Sequence, residues 1–231
     1  MKFKLSSLII LILYSAICFG GKDPLSVRLP TIQPIPGANV QWIGQQMAMN
    51  GLPTSIQAFS VGRSLSWVMQ YYRDIWKAKG FGSIIEGKNG EYTTLGYKKD
   101  ENYFSVQAKE YEGGVEGTLV VSSVPGGFES NKESKFPIMN GSQVVSKLEA
   151  MDNGVRSETL TITNTQSADG NARFYRSNLK RNGWIATGFN EPNGFERLLS
   201  FQKDKQAAQI TIKSNILALP GKTMILINWI K

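Results

Sequence analysis

One layout is written twice along this chain. Residues 64–79 (SLSWVMQYYRDIWKAK) are followed by Gly80, and residues 167–182 (SADGNARFYRSNLKRN) by Gly183, an offset of 103. Each stretch has apolar residues at helical spacing: Leu65, Val68, Met69, Tyr72, Ile75 and Trp76 in the first, Ala168, Ala172, Tyr175 and Leu179 in the second. The glycine after each is the residue type that lets a chain leave a helix through a left-handed conformation. The offset recurs upstream: Pro34-Ile35 matches Pro137-Ile138, and the turn pair Asn50-Gly51 matches Asn153-Gly154. Beyond each helix come short alternating stretches, expected as strands at residues 83–86, 92–98, 103–109 and 117–124, and at 185–188, 196–202, 207–213 and 223–230.

These patterns predict an α+β fold made by tandem duplication of a small domain. Each copy is a β-hairpin, one α-helix and an antiparallel meander packed on that helix. The expected organisation is residues 34–124 and 137–231 as the two repeats, 125–136 as linker, 21–33 (GKDPLSVRLPTIQ) as a proline-punctuated tether, and 1–20 as a leader. The order of elements is similar to cystatin-like and helix-grip domains, the latter found in lipoproteins of the outer-membrane assembly machinery. The resemblance is one of element order; no family motif accompanies it, and no functional residue is carried over from it.

The leader reading rests on Lys2 and Lys4 followed by a ten-residue apolar run, residues 8–17 (LIILILYSAI), too short to span a bilayer comfortably. Cleavage after Cys18 or after Gly20 fits the small residues there. Lipid attachment at Cys18 stands beside it as an alternative, against which Ile17 counts, because a small residue is wanted before a lipidated cysteine. An exported chain, periplasmic or outer-membrane-associated, with secretion as the other outcome, is the expectation.

Cys18 is the only cysteine and there is no histidine. A mature chain has no internal disulfide, and neither a Ser-His-Asp triad, a thiol nucleophile nor a Cys/His zinc site can be assembled. No catalytic residue, cofactor site or metal site is assigned. Glu86, Glu91, Glu110 and Glu112 read as surface charge, since nothing in the sequence pairs them across a cleft.

Charge is uneven. Residues 34–136 hold ten basic and ten acidic side chains, whereas 137–231 hold twelve and seven, net +5. The second helix concentrates this excess: Arg173, Arg176 and Lys180 form a row on one face with Arg181 beside it, a candidate contact for an anionic membrane surface, weighed against an ordinary solvated helix face. Trp67, whose counterpart is Gly170, and Tyr71 one turn on form a candidate partner contact; docking of one copy on the other is the competing role for them. The functional expectation is a non-enzymatic cell-envelope adaptor or accessory factor in an outer-membrane or secretion assembly, whose partner is another envelope protein and not a nucleic acid. A secreted inhibitor or ligand-binding protein is the alternative, and an enzyme working through carboxylates the third.

Overall fold

A computed structural model describes residues 23–80, 83–123 and 131–231. The expected leader with Cys18, residue Phe81 and the start of the expected linker lie outside these residues. The first half contains β1 (Asn39–Met49), β2 (Leu52–Val61), α1 (Leu65–Ala78), β3 (Ile85–Asn89), β4 (Tyr92–Lys99), β5 (Asn102–Tyr111) and β6 (Gly114–Ser123). The second contains β7 (Gln143–Asp152), β8 (Val155–Asn164), α2 (Ala168–Arg181), β9 (Ile185–Asn193), β10 (Glu196–Lys203), β11 (Gln206–Lys213) and β12 (Thr223–Ile230). The protein is therefore mostly antiparallel sheet with two helices, an α+β arrangement.

Local chemistry accounts for the punctuation. Asn50 and Gly51 adopt φ of 52° and 83°, and Asn153 and Gly154 48° and 80°, the left-handed pair that a two-residue hairpin of native twist requires. Ser64 and Ser167 cap the helices, accepting from the amides of Trp67 and Gly170 at 3.3 and 3.0 Å. At the end of α2, Gly183 N–H donates to Lys180 O and Trp184 N–H to Leu179 O, closing the helix while folding Trp184 back onto its last turn.

All twelve strands form one sheet in the order β3-β4-β5-β6-β2-β1-β7-β8-β12-β11-β10-β9. Read outward from the centre, each half has the same sequence of strands. The halves meet where β1 pairs with β7, and Met47 lies opposite Ala150, the residue 103 positions further on. An approximate two-fold axis thus passes through that pair. Following the register from Phe59 and Pro53 to Ala48, Glu149, Glu158 and Ile162 keeps to a single face of the sheet, so both helices lie on the same side.

Each half has its own apolar cluster on that side. Tyr72, Val68, Leu95 and Val106 are fully buried under α1; Tyr175, Leu179, Ile210 and Ile225 are fully buried under α2. Segments preceding the hairpins cover the clusters, through Ile32 and Ile35 in the first half and Phe136 in the second. Between the clusters the same face is charged. Lys147 is 5% exposed and Glu158 only 2%. Lys147 Nζ lies 3.2 Å from Glu149 and donates to Glu133 O at 2.8 Å; Glu158 accepts from the Ser134 hydroxyl and from Lys231. Asp23, ion-paired with Arg156, and buried Leu25 hold the start of the described chain across this junction.

The two outermost strands differ from expectation. β3 runs over Ile85–Asn89 rather than residues 83–86, and β9 continues to Asn193. Both are edge strands with every residue exposed, so neither has a buried face to impose alternation on its sequence.

Burial also sets an alkaline limit. It pushes the hydroxyl of Tyr97 up to about 12 and those of Tyr72 and Tyr175 higher still; for Tyr72 the neighbouring Tyr71 adds to the effect and the Ile35 backbone opposes it. A tyrosine in the unfolded chain ionises near 10, so between that pH and the folded value the unfolded state binds fewer protons. Stability is therefore full below about pH 10 and falls above it, by up to roughly 1.4 kcal/mol per pH unit for each such tyrosine. Urea unfolding at several alkaline pH values, with phenolate absorbance recorded alongside, checks this; a flat profile to pH 11 would contradict it.

Candidate functional site

The residues that cannot be accounted for by folding alone lie on the outer sides of the helices. On α1, Trp67 follows the Ser64 cap and is 41% exposed. Its ring stacks on Tyr71, with centroids 5.6 Å apart and planes 16° apart, and the Arg63 guanidinium lies 5.1 Å from the ring centre. Tyr71 meets Tyr72 edge-on at 5.3 Å, and contacts continue through Trp76 (5.7 Å), Tyr97 (4.5 Å) and Phe104 (4.7 Å). An unbroken series of six rings thus runs from solvent into the sheet. A surface aromatic braced in this way has little rotamer freedom left to lose when something binds it.

Trp67 contacts its own half of the molecule, against Arg63 and Tyr71, and is not part of the β1–β7 junction. In the second half the inner rings persist, Phe174 against Tyr175 at 5.1 Å, but Gly170 stands where the outermost ring would be. The series also stops further in, where Leu179 stands at the position equivalent to Trp76; at the exposed end the difference is ring against glycine.

On α2, Arg173, Arg176, Lys180 and Arg181 are all exposed. A comparison of equivalent positions explains why this face is more basic than its counterpart. Arg73 on α1 makes two hydrogen bonds of 2.7 Å to Glu86 of β3. Arg176 instead lies 5.0 Å over the ring of Phe189, which occupies the position equivalent to Glu86. Asp169, in the first turn of α2, and Glu191 of β9 are both held by Arg197, at 2.8 and 3.1 Å. Among the described residues no carboxylate is therefore ion-paired with the row.

Among the described residues, two concavities have aromatic side chains in their walls. One of about 290 Å³ lies beside the end of α1, with Trp76, Tyr97 and Phe104 as its apolar wall and Lys79, Asp100 and Asn102 at its rim. The other, about 360 Å³, crosses the helix-free face between Gln41, Ser60, Tyr92, Glu116 and Thr118. In the second, Lys109 lies 5.2 Å from the Tyr92 ring and 3.5 Å from both Glu91 and Glu116, so these acids already share a cation. Glu86 is likewise taken up by Arg73. These positions are ion pairs of the surface, and they do not form a carboxylate pair facing across a cleft.

Sequence reasoning missed two features. Asn171 is fully buried at the position equivalent to Val68, exchanging reciprocal amide hydrogen bonds with Asn164 at 2.8 and 3.0 Å. It sits on the core stripe of α2, but a helical-periodicity reading counts only apolar residues. The second is the nine-residue connection between β11 and β12, which leaves Leu217 fully exposed and has no counterpart in the tight β5–β6 turn. The signal available in the sequence is the run ILALP between the two strands.

No protein-family model, curated protein or solved structure matches the chain.

Proposed function

We propose that this chain is a non-enzymatic, exported cell-envelope protein that arose by tandem duplication and acts as an adaptor or accessory factor in an outer-membrane or secretion assembly. The observation that carries the reading is the braced aromatic pair Trp67–Tyr71. It is exposed, braced by its neighbours and present in one half alone, where the equivalent helix of the other half has glycine. Large rigid aromatics of this kind dominate the energetics of protein–protein contacts, because they bury much area at little entropic cost. The basic row Arg173, Arg176, Lys180 and Arg181 supports a second, electrostatic contact with an anionic surface. Two surfaces on one rigid sheet give the bivalency an adaptor uses. The leader expected over residues 1–20 and the tether expected after it support a site of action outside the cytoplasm.

Crosslinked capture from intact envelopes tests the reading. Trp67→Ala is expected to weaken capture by roughly 1–3 kcal/mol, about 5- to 150-fold in affinity, while leaving the thermal unfolding curve in place. Neutralising the row should lower the salt sensitivity of binding and leave the aromatic contribution intact. Capture unaffected by Trp67→Ala removes the aromatic pair from the interface. The alternative of a ligand-binding protein is favoured instead if a small molecule protects the Trp76–Tyr97–Phe104 wall.

A further inference from the structure

The connection between β11 and β12 is built rather than slack. Leu219 N–H donates to Ile216 O at 2.9 Å and Lys222 N–H to Leu219 O at 3.1 Å, giving two successive turns, the second with Pro220 and Gly221 (φ 69°) at its centre. The base is fastened at both sides: Ser214 N–H donates to Phe195 O at 2.9 Å, and Thr223 Oγ1 donates to Gln166 O at 2.6 Å, just ahead of α2. Leu217 in this connection is entirely exposed, and Phe195, whose carbonyl accepts from Ser214 at its base, is 56% exposed. Lys213 and Lys222 flank the connection, the first paired with Glu196 at 3.1 Å.

We propose that the second half docks on an anionic lipid bilayer, with Leu217 and Phe195 entering the headgroup region and the basic row of α2 attracting the surface. This rests on the anionic-surface reading of that row and names what the surface is and what inserts. A single exposed leucine offers a protein partner little area, whereas a bilayer takes an isolated apolar side chain and lets flanking lysine stems extend along it. The charge is complementary as well. Asp169 and Glu191 are held by Arg197, and Glu196 by Lys213, so the acids at the start of α2 and the base of the connection are already ion-paired.

The test uses the chain from Gly21 onward, which contains every described element and omits the apolar run of the leader. Vesicles of phosphatidylcholine with about a third phosphatidylglycerol are compared with pure phosphatidylcholine by co-sedimentation. Binding is expected to the mixed vesicles and to fall as salt rises. Leu217→Ser combined with Phe195→Ser should weaken it roughly tenfold at every salt concentration, since it removes apolar insertion. Gln at Arg173, Arg176 and Lys180 should instead flatten the salt dependence. Cys18 is absent from this chain, so Leu217→Cys provides one labelling site, and an environment-sensitive dye there should shift to the blue on mixed vesicles. Equal binding to both vesicle types, no binding at all, or a dye indifferent to lipid overturns the proposal. Trp67→Ala should leave vesicle binding unchanged, so loss of partner capture and loss of lipid binding are read separately.

Discussion

Trp76→Ala is expected to destabilise the first half by about 3–5 kcal/mol, and Tyr175→Ala the second by the same order, in urea unfolding. Trp76 is 2% exposed and central to the ring series; Tyr175 is fully buried against Phe136 and Phe174. Two control substitutions make the expectation specific. The Tyr175 hydroxyl is buried without a hydrogen-bond partner among the described residues, so Tyr175→Phe removes a desolvated polar group and should be neutral or slightly stabilising. Lys180→Ala on the outer face should change stability by roughly half a kcal/mol or less. If Lys180→Ala were as damaging as Tyr175→Ala, the assigned inner face of α2 would be wrong.

Lys147→Met should be nearly as severe, at about 3 kcal/mol, although it replaces a charge with an apolar side chain of similar length. Glu149 and Glu158 face each other across β7 and β8 on the helix side, and they are balanced by Lys147 and Lys231. Without Lys147 two adjacent acids share one cation, and the Glu133 carbonyl loses its donor. Adding Glu149→Leu removes the surplus charge, and the double variant should recover most of the loss. A double variant worse than the single would show that the cluster acts through something other than charge balance.

The helices, hairpin turns and closing glycines were legible because each is dictated locally: a stripe at helical period, an Asn-Gly pair needing positive φ, a serine cap. The central strands were legible because one face is buried and the other is not. Edge strands β3 and β9 lack that contrast. The joining of the halves into one sheet was hidden for a different reason. Gln46, Met47, Ala48 and Met49 carry no pattern that distinguishes a covered edge from a free one, and their partners lie about a hundred residues away. At the surface, Trp67 stood out by contrast with Gly170, a comparison that the offset of 103 supplies. Phe189 opposite Arg176 did not stand out, because the equivalence with Glu86 acquires meaning only once Arg73 is seen to bind that carboxylate.

Site-specific photocrosslinking tests the adaptor account most directly. A photoreactive amino acid is placed at Trp67 in one strain and at its counterpart Gly170 in another, and intact envelopes are irradiated. The account predicts a discrete adduct with another envelope protein from position 67 and none of that mass from position 170. The same adduct from both positions, or from neither, would contradict it.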